Sequence, residues 1–365
     1  MSLLLKKPYI IAEIGVNHNG SVSLAKKLIK EAKKAGADAV KFQTFIVDDI
    51  ADNEVEKANY QKTDLHETQY TMLKRYELNQ KEFRILYEYS KKQSIDFLST
   101  ACDVKSLHFL ANELKIKTIK IASPDLTNLQ LLLHAGKSKK NIIISSGMST
   151  TREIDIALSA LCYGYSHKDF KFNPIKHKNL YKNYTSYLKN NIKLLHCTTE
   201  YPAPLQELNL NVIKLFKKKY PVDIGYSDHS HNLITPIIAT TMLASIIEVH
   251  ITLDNQMDGP DHKSSLNMNM LKKYITNISD TITILGLGEK KITVSESKNS
   301  RVVKKYLYYS RDVQKGEILL DDMILCKRSN KGISSTEYHK VLGKPLTISK
   351  KGHTRISHNH FMNKI

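Results

Sequence analysis

Two histidines, His196 and His229, stand where two successive apolar runs end. Leu194-Leu195 runs into His196, and Val222 and Ile224 lead to Ser227, Asp228 and His229. Neutral imidazoles with carboxylates nearby are ligands for a divalent transition metal. The pair is therefore the candidate metal site, with Asp228 and Glu248 as groups that would orient the rings. Two lysines, Lys41 and Lys120, also come from the ends of apolar runs. A lysine so placed reaches a phosphate or carboxylate as a point charge. Ser99, Thr100, Ser123, Ser145 and Ser146 supply hydroxyls beside them, and Glu13 supplies an acid. The set suggests an anionic phosphorylated substrate handled by a metal. A Schiff-base aldolase could use one such lysine, but the histidine pair favours metal-assisted chemistry.

These residues need a scaffold that delivers them to one place. Tyr9-Ile10-Ile11-Ala12 runs into Glu13, Ala39-Val40 into Lys41 and Gln43, and Phe97-Leu98 into Ser99 and Thr100. Ile119 and Ile121 flank Lys120, Ile142-Ile143-Ile144 runs into Ser145 and Ser146, and Ile246-Ile247 runs into Glu248 and His250. With the two histidine runs, these make eight short strands that each carry polar groups at the C-terminal end. That is the one-dimensional form of an α/β chain folded as a (β/α)8 TIM barrel. Between the first two strands, Leu24, Ala25, Leu28, Ile29 and Ala32 recur at helical spacing, with Ser23 as N-cap and Gly36 as the stop. A single helix is predicted over 103–115. The polar stretch 46–78, holding Tyr60, Gln61, Tyr70 and Met72, reads as a lid or partner contact. The Lys-, Asn- and Tyr-rich stretch 164–190 reads as an exposed insertion before strand six. The barrel is assigned to 1–287, a linker to 288–300, and a small β-rich domain with Gly-marked turns to 301–365.

Composition narrows the function further. No apolar run approaches the ~18–20 residues of a membrane span. The run at Tyr9–Ala12 is too short for a secretory signal, so a cytoplasmic protein is expected. Cys102, Cys162, Cys197 and Cys326 are widely spread, which argues against a disulfide framework or a thiolate zinc site. The net charge of +19 invites a nucleic-acid partner. No nucleic-acid-binding motif accompanies it, and a solvated lysine surface that also attracts an anionic substrate accounts for it.

The motifs themselves carry a resemblance. Ile11-Ala12-Glu13-Ile14-Gly15-Val16-Asn17-His18-Asn19-Gly20 and Gly36-Ala37-Asp38-Ala39-Val40-Lys41-Phe42-Gln43-Thr44 resemble the opening motifs of the sialic acid synthases. Leu195-His196-Cys197-Thr198-Thr199-Glu200-Tyr201-Pro202-Ala203-Pro204, Gly225-Tyr226-Ser227-Asp228-His229 and Gly259-Pro260-Asp261-His262-Lys263 resemble the same family. The last domain is similar to their antifreeze-like SAF domain, with Lys327-Arg328 before Lys331-Gly332-Ile333. The resemblance implies that phosphoenolpyruvate condenses with an open-chain N-acylated mannose-type sugar to give a nine-carbon 2-keto acid and phosphate. It implies a divalent metal of the Mn2+ kind on His196 and His229, where it would polarise the sugar aldehyde. Lys41 and Lys120 would hold phosphoenolpyruvate with Thr100 and Ser123, and Gln43 and Ser227 join the substrate contacts. Glu13, Asp125 and His229 form the catalytic set. Arg328 would reach the sugar from the other subunit of a domain-swapped homodimer. Asp125 stands where many relatives carry Glu, and Val249 where Lys or Arg is common. The leading expectation is N-acetylneuraminate synthesis from N-acetylmannosamine. The alternatives are N,N'-diacetyllegionaminate synthesis from 2,4-diacetamido-2,4,6-trideoxymannose and a non-catalytic sugar-binding relative.

Overall fold

The computed structural model describes residues 6–55 and 68–362. The chain divides into one unit over Met1–Leu287 and another over Gly288–Ile365. In the first, β1 (Tyr9–Gly15), β2 (Ala39–Thr44), β3 (Asp96–Ala101), β4 (Thr118–Ile121), β5 (Asn141–Ser145), β6 (Ile192–His196), β7 (Asp223–Asp228) and β8 (Ile246–Thr252) pair in sequence order. β1 also pairs in parallel with β8, so the sheet closes into a barrel. A two-residue β9, Leu266–Asn267, pairs in parallel with the end of β8.

Side chains of a strand alternate between faces, and here the alternation sorts the chemistry from the packing. Ile11, Ala39, Leu98, Ile143, Leu195 and Ile246 point inward and pack together as one apolar plug, with Tyr9 against it. Their neighbours Ile10, Val40, Phe97, Ile142, Leu194 and Ile247 point outward into the main core under the helices. Two residues beyond the plug, the same inward face carries Glu13, Lys41, Thr100, Ser145 and Glu248. A continuous apolar layer below and polar strand ends above give the barrel a dry floor and a reactive mouth.

The helices follow their sequence signals with local corrections. Val22–Ala35 is capped by Ser21, whose side chain accepts from the Leu24 amide, not by the expected Ser23. It ends at Gly36, whose φ of 98° is the left-handed conformation that glycine adopts without strain. The helix expected over 103–115 is α-helical only over Val104–His108 and continues as a π-turn over Phe109–Glu113. The 46–78 stretch contains helices Val47–Ile50 and Gln69–Tyr76, which share a satellite core built from Val16, Phe45, Val47, Met72 and Tyr76. Tyr60 and Gln61 lie outside the described residues.

The 164–190 stretch is not simply an exposed insertion. The preceding helix runs to Ser166, and a helix spans Thr185–Asn191. Tyr181, Tyr187 and Leu188 are buried, and the Ser159 hydroxyl accepts from the Tyr181 amide at 3.2 Å and donates to the Lys178 carbonyl at 3.0 Å. Its anchors are aromatic and irregularly spaced, so no periodic pattern announces them.

In the second unit β10 (Lys305–Tyr309) pairs antiparallel with β11 (Ile324–Arg328). Its own core includes Leu307, Tyr309, Val313, Leu319, Ile333 and Ile356. The stretch read as a linker, 288–300, is partly helical: Val294–Val303 starts at a capping box between Thr293 and Glu296 and runs past residue 300 into the stretch assigned to the β-rich domain. Among the described residues no helix is long and apolar enough to cross a membrane.

Candidate active site

Above the plug, two lysines and two glutamates interlock with almost no exposure. Lys41 Nζ lies 2.8 Å from Glu13 Oε1 and 3.7 Å from Glu248 Oε2. It also donates to Thr100 Oγ1 at 3.1 Å. Lys120 Nζ donates to Ser145 Oγ at 2.6 Å and lies 3.8 Å from Glu248 Oε1. Ser227 Oγ donates to Glu248 Oε1 at 3.0 Å. Gln43 Nε2 reaches Glu13 Oε1 at 3.4 Å.

The two acids titrate differently for a physical reason. Burial raises Glu13 to about 7, against the pull of Lys41. Burial would raise Glu248 as well, but Lys120 and Lys41 outweigh it and hold that carboxyl at about 2. Burial lowers Lys120 below the ordinary lysine value. Lys41 is also buried, but Glu13 and Glu248 more than compensate and hold it above that value. Glu248 is thus the fixed negative charge between two ammonium groups. Glu13 is the acid whose proton is exchangeable near neutrality.

The histidines are not arranged as expected. His196 follows the inward Leu195 and therefore points outward. Its Nε2 donates to the Leu208 carbonyl at 2.7 Å, and its ring packs near Phe216 and Tyr226. It is absent from the cavity lining, so the structure does not bring His196 beside His229 as the expected pair. The partner of His229 is His250, with ring centroids 5.5 Å apart and Tyr201 against both. His250 lies four residues past the inward Ile246, and that parity is the sequence signal that would have found it.

The hydrogen bonds set the chemistry of this pair. His229 Nδ1 donates to the Thr198 carbonyl at 2.6 Å. That leaves Nε2 as the lone-pair nitrogen, 3.3 Å from both Tyr201 OH and Ser227 Oγ. His250 Nδ1 is buried with no hydrogen-bond partner, 3.8 Å from Asp261 Oδ2. Burial lowers both imidazoles below the ordinary histidine range, so both are neutral at neutral pH. Among the described residues no group of three or more His, Cys, Asp or Glu side chains is spaced to enclose a cation. The pair fits a cation that keeps open positions for water and substrate.

Asp125 and Ser123 fall on the walls of the same cavity, which has a volume of about 420 Å³. Asp125 accepts from Asn128 Nδ2 at 3.1 Å, and burial raises its carboxyl to about 6. Ser123 Oγ accepts from the Gly147 amide at 3.1 Å and lies 3.1 Å from Cys197 Sγ, so it braces the loop after β5. A Cβ on Gly147 would sit 2.0 Å from Thr199 Oγ1, which is why that loop needs glycine to approach so closely. Arg328 lies exposed at the end of β11 in the second unit.

A closed barrel, a buried lysine–glutamate quartet and a neutral histidine pair at one mouth agree with comparisons to known proteins. The NeuB family matches residues 28–290, and the SAF domain matches residues 304–360. The chain is 42% identical to the N,N'-diacetyllegionaminic acid synthase of Campylobacter jejuni, covering 94% of this chain and 97% of that protein. It is 37% identical to the protein of the same name from Legionella pneumophila, covering 96% and 94%. A crystal structure of the N-acetylneuraminic acid synthetase from Leptospira borgpetersenii superposes with a TM-score of 0.64 at 32% identity, covering 80% of this chain and 90% of that one. This chain belongs to the NeuB family, as a (β/α)8 barrel with a C-terminal SAF domain, and is a phosphoenolpyruvate-dependent, carbon–carbon bond-forming synthase of the sialic-acid type.

Proposed function

We propose that this enzyme condenses phosphoenolpyruvate with 2,4-diacetamido-2,4,6-trideoxymannose to give N,N'-diacetyllegionaminate and phosphate. The observation that carries the reaction is the buried quartet of Lys41, Lys120, Glu13 and Glu248 beneath the His229–His250 pair. The choice of sugar rests on the two relatives named for that product, at 42% and 37% identity over nearly the whole chain. They support this sugar over the expected N-acetylmannosamine, since a structure named for N-acetylneuraminic acid lies at 32%.

The buried ammonium groups of Lys41 and Lys120 bind the phosphate and carboxylate of phosphoenolpyruvate. They are already desolvated, so little further solvent must be removed when the anion arrives. His229 and His250 would hold a divalent cation of the Mn2+ kind, which supplies Lewis acidity toward the sugar aldehyde. The Nε2 of His229, which carries the ring's lone pair, and the Nδ1 of His250, which has no hydrogen-bond partner, fit that role. C3 of phosphoenolpyruvate then forms the new bond to the aldehyde carbon, and the aldehyde oxygen takes up a proton. Water adds at C2, and the C2–oxygen bond to phosphate breaks to leave the 2-keto acid. Glu13 is the group suited to hold and pass the proton. Asp125 contacts the sugar hydroxyls from the β4 side.

The titration of Glu13 fixes the sign of a pH effect. Its pKa of about 7 is raised by burial, and a bound trianion beside it favours the protonated form further. The protonated acid is the competent form, so kcat/KM should fall as pH rises through about 7. Glu13→Gln should lower kcat by ~10²–10⁴ and remove that descending limb. A retained limb in the variant would assign it to another group.

Arg328 is proposed to contact the N-acyl group from a second copy in a domain-swapped homodimer. Glu13→Gln and Arg328→Ala should each be nearly inactive alone. Refolded together, they should regain roughly a quarter of the wild-type sites, because one of the two sites in each mixed dimer is then intact. No recovery on mixing would place Arg328 on its own barrel or outside the reaction.

The deciding assay is phosphate release from phosphoenolpyruvate with Mn2+, comparing the trideoxy sugar with N-acetylmannosamine. Preference for N-acetylmannosamine would restore N-acetylneuraminate as the product, with the same machinery.

A further inference from the structure

The cavity has one wall that the chemistry above does not use. Phe45, Ile50 and Leu73 line it on the β2 side, and they are apolar in a site otherwise floored by charge. Phe45 is only 4% exposed, and Ile50 and Leu73 pack onto the satellite core that it shares with Val47 and Met72. That core is tied down from outside. Lys105 Nζ lies 2.9 Å from Asp49 Oδ2, and Tyr70 OH and Lys74 Nζ both bond Asp48. The wall is therefore a built surface with fixed side chains. Asp49 and Gln69 of the same two helices also line the cavity, Asp49 engaged by Lys105, so it is a ligand group seated on these three side chains that is best apolar, because they cannot replace the hydrogen bonds a hydroxyl leaves behind in water.

The direction of the sugar decides which group that is. The aldehyde carbon must lie near His229, directly after β7, and His250, on β8, and above the enol carbon held by the lysines. The apolar plug closes the barrel below. The open chain must then run up and across the mouth, and its C6 lies roughly 6 Å from C1 when extended. The wall of Phe45, Ile50 and Leu73 follows β2, two strands round the barrel from β8, and lines the same cavity as Asp125.

We propose that this wall is the specificity surface for the deoxygenated end of the sugar, seating the C6 methyl and rejecting a C6 hydroxymethyl. The inference rests on the substrate reading above and adds to it the residues that read C6.

The test uses the intact enzyme with phosphoenolpyruvate, Mn2+ and three sugars. These are 2,4-diacetamido-2,4,6-trideoxymannose, its C6-hydroxyl counterpart 2,4-diacetamido-2,4-dideoxymannose, and N-acetylmannosamine. The wild type should prefer the C6 methyl over the C6 hydroxyl by about tenfold or more in kcat/KM, carried mainly by KM. Leu73→Gln and Ile50→Thr, both at half-buried positions that tolerate polar atoms, should each bring that ratio to within about threefold. The KM for phosphoenolpyruvate should be unchanged in both, which separates a sugar-side effect from general damage. Equal use of the two diacetamido sugars by the wild type would overturn the proposal. So would a ratio that survives both substitutions. Turnover of N-acetylmannosamine with neither diacetamido sugar accepted would overturn the substrate reading itself, and this inference with it.

Discussion

His250→Gln should abolish turnover and Mn2+ binding, while His196→Gln should leave both within a few-fold of wild type. The contrast follows from which way each ring faces. His250 lies beside His229 across the cavity, with a buried nitrogen that has no hydrogen-bond partner. His196 spends its Nε2 on the Leu208 carbonyl on the other face of the strand. Removing one of two protein ligands should weaken metal affinity by far more than the ~10–100-fold typical of losing an orienting partner. Equilibrium dialysis of Mn2+ against the folded variants reads this without an activity assay. His196→Gln removes only a neutral hydrogen bond, worth about 1 kcal/mol of stability. Mn2+ lost in the His196 variant and kept in the His250 variant would reverse the assignment.

The second large effect belongs to Lys120. Lys120→Met should lower kcat/KM by roughly 30- to 5,000-fold, because truncating one partner of a buried hydrogen-bonded charge pair costs about 2–5 kcal/mol in binding. It should also destabilise the free enzyme by about 3–5 kcal/mol, since Glu248 loses one of its two ammonium partners. The double variant Lys120→Met with Glu248→Gln separates the two consequences. Removing the stranded charge should recover most of the stability while activity stays lost. Urea denaturation and phosphate release, measured on the same samples, check both halves. A double variant that regains activity would show that Lys120 serves the fold and not the substrate.

Most of the machinery was legible because a barrel strand is short and its grammar is simple. Eight apolar runs were legible as strands, and the structure brings Glu13, Lys41, Thr100, Lys120, Ser145 and Ser227, from six of them, together at one mouth. A small β-rich unit at the end of the chain was legible from its turn glycines, and the β10–β11 pair and separate core are those of such a unit. The capping residue of the first helix and the packed half of 164–190 were not. Each depends on local hydrogen bonds or irregular aromatic anchors that leave no periodic trace.

The sequence by itself determined which residues end strands, and hence that acids, lysines and imidazoles gather at one face of a barrel. Only the tertiary structure decided which of them face the axis. A strand turns over at every residue, so Leu195 and His196 are adjacent in the chain but lie on opposite sides of the sheet. Counting from the apolar plug, His250 shares the inward parity of Ile246 and Glu248, and closure of β8 onto β1 brings it to Glu13 and His229. The titration of Glu13 was likewise decided in three dimensions. Its pKa depends on desolvation and on Lys41 and Glu248, which chain separation keeps apart until the barrel closes.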